Sequence, residues 1–188
     1  MNRRGFIAGP MVVGALAAIA KGAPVGSLAS PRGAGFRVGA NEDRSGQELL
    51  IMGGQFDLKV SSQDTNGELC IYDTRRSSKG GPALHLHHAQ DEWFYVIRGE
   101  FVAKVGDQVL KLGPGDSTFA PRKIPHTFAM VGEGEGQMLV LFQPAGLMEE
   151  FFREMSRLGR EIPKNMEVEL KKLFQKHGME VLGPPLKI

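Results

Sequence analysis

From Leu49 to Phe142 the chain alternates short β-prone runs with glycine turns, and no stretch between them is long enough for a helix. The runs are Leu49–Met52, Asp57–Ser61, Glu68–Asp73, Ala83–His87, Glu92–Ile97, Phe101–Val105, Gln108–Leu112, Ser117–Ala120, His126–Val131 and Gln137–Phe142. "RGE", "GDQ", "GPGD" and "GEGEG" separate several of them, each offering a glycine where a tight turn needs positive φ. Close spacing without crossover helices predicts an all-β antiparallel sandwich or barrel.

The flanks read differently. "GLMEEFFREMSRLG" predicts a helix with Leu147, Phe151, Met155 and Leu158 on one stripe and Gly159 as its cap. "PKNMEVELKKLFQKHG" predicts a second, with Met166, Leu170, Phe174 and His177 on one face and Gly178 after it. The expected division is an export signal over 1–29, a loosely held arm over 30–48, a barrel over 49–145 and a helical extension over 146–188.

The opening "MNRRGFIAGPMVVGALAAIAKGAP" pairs Arg3 and Arg4 with an apolar run of 15 residues from Phe6 to Ala20. That is short of the ~20 residues a spanning helix needs, and small residues follow it. It resembles a bacterial twin-arginine export signal, with cleavage expected after Ala20 or Ala29, which implies a periplasmic protein. Without Arg3, Arg4 and Lys21 the chain has 20 basic and 21 acidic residues, with no basic stripe, so nucleic-acid binding is set aside. No stretch suggests an integral membrane protein. Cys70, the single cysteine, can form no internal disulfide and reads as a buried inert thiol in a strand.

Three of the five histidines lie in "HLHHAQDEW", His85 to Trp93. Strand side chains alternate faces, so His85 and His87 share one face while His88 takes the other, as a surface or turn residue. If Glu92 faces inward as well, two imidazoles and a carboxylate converge, a set suited to a borderline divalent metal. His126, opening a strand after "GPGDSTFAPRKIP", is the candidate fourth ligand from a second hairpin. Phe94 and Phe128 share the inward parity and are candidate pocket walls. Trp93 and Tyr95 point to the sheet exterior or an interface. His177, at a helix end, reads as a dipole or packing residue.

These residues resemble the cupin family. Its first motif is matched by His85-x-His87, four residues, Glu92, six residues and Gly99, with the leading glycine one place closer at Gly80. Gly115, Pro121 and His126 fit the second motif, where Lys123 replaces a glycine and Met130 an asparagine. The resemblance implies a double-stranded β-helix (jelly-roll) barrel holding one divalent transition metal, Fe, Mn, Ni, Co, Cu or Zn, on His85, His87, Glu92 and His126. "PAGLMEEFFREMSR" further resembles the helix that follows the barrel in single-domain quercetinase-like cupins. A dioxygenase is therefore expected, acting with O₂ on an enolisable or aromatic, flavonol-like small molecule, with Glu92 as ligand and base. Two alternatives share the barrel: a non-redox isomerase or lyase of sugar-like or oxo-acid substrates, and a non-catalytic small-ligand-binding protein. A homodimer would suit the family.

Overall fold

The computed structural model describes residues 34–161 and 165–188. The expected export signal, 1–29, lies outside the described residues.

The described residues form eleven strands and two helices. In chain order the first ten strands are β1 (Leu49–Ile51), β2 (Gly54–Val60), β3 (Cys70–Arg76), β4 (Ala83–His87), β5 (Asp91–Arg98), β6 (Phe101–Val105), β7 (Gln108–Leu112), β8 (Ser117–Ala120), β9 (His126–Met130) and β10 (Gly136–Gln143). The helices α1 (Met148–Glu161) and α2 (Met166–Lys176) follow, then β11 (Met179–Pro185). Two antiparallel sheets face each other, ordered β1-β2-β3-β10-β5-β8 and β11-β4-β9-β6-β7. The all-β barrel with helices behind it is the expected architecture.

The core lies between the sheets, where inward positions such as Tyr72, Val96, Phe101 and Met138 are almost fully buried. On the outer face Trp93 and Tyr95 are half-buried and stack at 5.7 Å with 22° between their planes. Cys70 is buried, and loss of hydration pushes its thiol pKa up, as an inert thiol requires.

Four expectations shift. β11 falls inside the segment expected to be purely helical, because "MEVLGPP" contains a glycine and two prolines that read as a strand breaker. Prolines are tolerated on an edge strand, and β11 is the edge of its sheet. Helix α1 runs through Gly159 instead of stopping there. Its buried stripe is Met148, Phe151, Phe152 and Met155, whereas Leu147 precedes the helix and is 50% exposed. Finally, the arm is tied down over its described part. Asp43 accepts the Leu58 amide at 2.6 Å, and the Arg44 amide donates to the Leu58 carbonyl at 2.7 Å.

Aromatic contacts lock the helices to the barrel. The Phe152 ring sits 4.8 Å from Tyr72, 5.1 Å from Phe56 and 5.7 Å from Phe142. Phe151 meets Phe174 of α2 edge-on at 4.9 Å. Such pairs add about 0.5–1.5 kcal/mol each to the burial of their area.

Candidate metal centre

β4 carries His85 and His87 inward, β5 carries Glu92, and β9 carries His126, which lies directly across from His85 in the sheet. All four are buried, and one ligand atom from each lies within 4.8 Å of every other. Among the described residues this is the one such group of three or more metal-ligating side chains. His88 is exposed on the opposite face, as strand alternation requires. His177 is buried near the end of α2, with its Nδ1 3.0 Å from the Leu173 carbonyl and its ring against Phe151.

Backbone carbonyls set the ring tautomers. Nδ1 of His85 lies 2.8 Å from the Ala83 carbonyl, and Nδ1 of His126 lies 2.9 Å from that of Ile124. Each Nδ1–H donates outward, so an Nε2 lone pair faces the cluster on His85, and on His126 whenever that ring is neutral. Nε2 of His126 is 2.8 Å from Oε2 of Glu92. Nε2 of His87 is 3.2 Å from the same oxygen, and neither it nor Nδ1 makes a hydrogen bond to the described residues. Buried, orphaned ring nitrogens cost free energy unless a cation or proton satisfies them. The donor set therefore fits one divalent ion, which these four residues could hold.

The ionisation pattern has the same origin. Burial, then the neighbouring His126, pushes His85 down to about 3, so it is neutral and ready to ligate. Burial would raise Glu92, but the hydrogen bond from His126 and the facing His87 outweigh it and hold the carboxyl well below its usual range. Burial alone would lower His126; its hydrogen bond to Glu92 prevails and its pKa is raised. An ion–pair lock of this kind is what a cation replaces on binding.

The turn before β9 aims His126. Lys123 adopts φ +67°, the left-handed conformation that the motif's glycine would take, and its amide donates to the His87 carbonyl at 2.7 Å. The turn thus survives the missing glycine, at a backbone cost of about 1–2 kcal/mol. Met130, in place of the motif's asparagine, is buried and pairs backbone to backbone with Gly80.

His85, His87 and Glu92 line a cavity of about 600 Å³, and His126 does not. Phe128 lines that cavity. Phe94 does not: it is 2% exposed, wedged 5.4 Å from Phe128 and 6.4 Å from the His126 ring. Shared parity gave both the same face, but only tertiary packing sets depth, and Phe94 is core.

Most of the remaining wall comes from outside the barrel motifs. α1 supplies Met148, Phe151 and Met155, and α2 supplies Leu170 and Phe174. β11 pairs with the histidine-bearing strand, Met179 opposite His87 and Val181 opposite His85, and adds both side chains to the wall. The amphipathic character of both helices is legible in sequence, whereas the membership of the α1 stripe and the helices' position over the cluster are not. Arg76, at the end of β3, also lines the cavity and carried no sequence signal.

Residues 76–142 match the family model for the Cupin domain. No curated protein matches the chain. Among solved structures, KdgF from Halomonas sp. is 22% identical, with 52% of this chain and 86% of that one covered at a TM-score of 0.44. An RmlC-like cupin from Shewanella frigidimarina is 27% identical, covering 52% and 82% at 0.44. A predicted oxalate decarboxylase from Thermotoga maritima is 17% identical, covering 50% and 86% at 0.46.

Proposed function

With a cupin domain over residues 76–142 as the premise, we propose that this protein is a mononuclear-metal dioxygenase acting on an enolisable, largely aromatic small molecule. The observation that carries this reading is the cavity wall. Beyond the cluster its described lining is mostly methionine, phenylalanine and aliphatic side chains, with Arg76, Glu167 and Lys171 as the charged members and no serine, threonine, tyrosine, asparagine or glutamine. Along that largely apolar wall a polyol would find few partners for its hydroxyls, and buried unpaired hydroxyls are costly. That disfavours the sugar-like substrates of an isomerase or lyase. A flat apolar ring system suits the wall, and the volume is in the range of ligand pockets.

His85, His87, Glu92 and His126 would hold the ion. When bound, the ion supplies Lewis acidity toward an enol oxygen and, if redox-active, a route to O₂. Glu92 borders the cavity, so its carboxylate is placed to accept the hydroxyl proton of an enol entering beside it. The helices and β11 surround the cluster's open side with mostly apolar side chains. Five of the nine methionines, Met52, Met148, Met155, Met166 and Met179, line the cavity and let the wall adapt to the ring system it encloses.

Oxygen consumption on addition of a flavonol, lost in His87→Ala, is the expected result. Anaerobic turnover of an oxo acid or polyol, with no oxygen uptake on any enol, overturns it. The same proposal includes export: changing Arg3 and Arg4 to lysine is expected to retain the protein in the cytoplasm, read by cell fractionation.

A further inference from the structure

Four charged side chains other than histidine line the cavity: Glu92, Arg76, Glu167 and Lys171. Glu92 faces the imidazoles, and Glu167 and Lys171 pair with each other at 2.8 Å on exposed turns of α2. Arg76 differs from all three. Its guanidinium donates one hydrogen bond to the Gly80 carbonyl and lies 5.8 Å from the centre of the Phe128 ring. No carboxylate of the described residues forms an ion pair with it, and loss of hydration alone lowers its pKa, with no opposing anion. A half-buried cation against apolar walls, with most of its five donors unpaired among the described residues, is a receptor suited to a planar anion.

Its place in the barrel sets where that anion must be. On β10, Arg76 is level with Gly136 and Glu92 with Phe142. Those levels are six residues apart, roughly 20 Å of strand before twist and side-chain reach shorten it. Both ends open on one cavity.

We propose that Arg76 is a specificity-determining residue that binds a carboxylate at the end of the substrate remote from the metal cluster. The substrate is accordingly an elongated, mostly apolar organic acid, with the enol at one end and the carboxylate at the other. This rests on the cluster being the reactive end, as argued above.

The test uses the full chain, metal-free and Co²⁺-loaded, titrated calorimetrically with 4-phenylbutyrate and with 4-phenylbutanamide. The two probes share a shape and differ in charge. Wild type is expected to bind the acid at least about tenfold more tightly than the amide in both forms, the scale of a charge-assisted pair. Arg76→Gln, which can still donate to the Gly80 carbonyl, should bring the two probes within about twofold, with amide affinity and the Co²⁺ spectrum unchanged. Arg76→Lys should restore part of the preference, and Arg76→Met serves as a second charge-removing variant if the glutamine variant does not fold. No acid preference in wild type, or an intact one after charge removal, overturns the proposal. So does a preference confined to the Co²⁺ form with a shifted spectrum, which places the acid on the metal. Failure of the cluster reading is distinct: Co²⁺ would not bind at one per chain, while the acid preference persisted in metal-free protein.

Discussion

Nε2 of His126 lies 2.8 Å from Oε2 of Glu92, although Nδ1 of the same ring is already held 2.9 Å from the Ile124 carbonyl. A neutral imidazole has one proton, and the carbonyl takes it. Nε2 and the carboxylate oxygen are then two acceptors face to face, an arrangement that needs a proton or a cation between them. The geometry of one pair thus states a requirement of the whole cluster.

Metal content tests that requirement. Purified protein is expected to bind close to one divalent transition ion per chain by elemental analysis. His87→Ala should lower the affinity by at least about tenfold, since removing even an outer-shell partner costs that much. His88→Ala, on the exposed face, should leave it unchanged. Equal losses from the two substitutions would refute the assignment.

The pH dependence follows from the raised His126 and lowered His85 values. Metal must displace the His126 proton, so apparent affinity should fall about tenfold for each pH unit below the raised value. In metal-free protein His126 contributes stability below its unfolded pKa near 6.5, and this is lost as pH rises through the raised folded value. His85 acts oppositely: neutral in the fold, it costs stability as pH falls from 6.5 toward 3, by up to about 1.4 kcal/mol per unit. Glu92, depressed in the fold, contributes stability above its unfolded pKa that fades as pH falls through the lowered value. Metal-free thermal stability should therefore peak near neutrality, and His85→Phe should flatten the acid side.

Phe174→Ala tests the helical cover separately from the ligands. The ring is 5% exposed, 4.9 Å from Phe151 and 5.4 Å from the His85 ring. Its removal should cost about 3–5 kcal/mol in denaturant unfolding while the chain still binds one ion. Loss of metal equal to that of His87→Ala would show that the helix positions the ligands as well as covering them.

Lys123→Gly should stabilise. Lys123 holds φ +67°, and glycine removes that strain at the cost of a more flexible unfolded chain. The net gain should be about 0.5–1 kcal/mol, or a few degrees in Tm, with metal affinity unchanged. Lys123→Val should do the reverse.

Sequence by itself determined the barrel, the limits of several strands and the face each strand residue takes, because alternation with period two and glycine turns are local properties; β2 and β3, expected at Asp57–Ser61 and Glu68–Asp73, instead run Gly54–Val60 and Cys70–Arg76. Ala83–His87, Phe101–Val105, Gln108–Leu112 and Ser117–Ala120 end where their residues predict. The inward parity of His85, His87 and Glu92 is of the same kind, although the convergence of His126, 34 positions beyond Glu92, depends on the fold. Tertiary structure alone decided depth and distance. It buried Phe94 and left Phe128 on the cavity, and it turned "MEVLGPP" into the edge strand that braces β4. It also brought Arg76, level with Gly136 on β10, onto the same cavity as Glu92, level with Phe142. These outcomes depend on which surfaces meet across the barrel, and no local pattern carries that information.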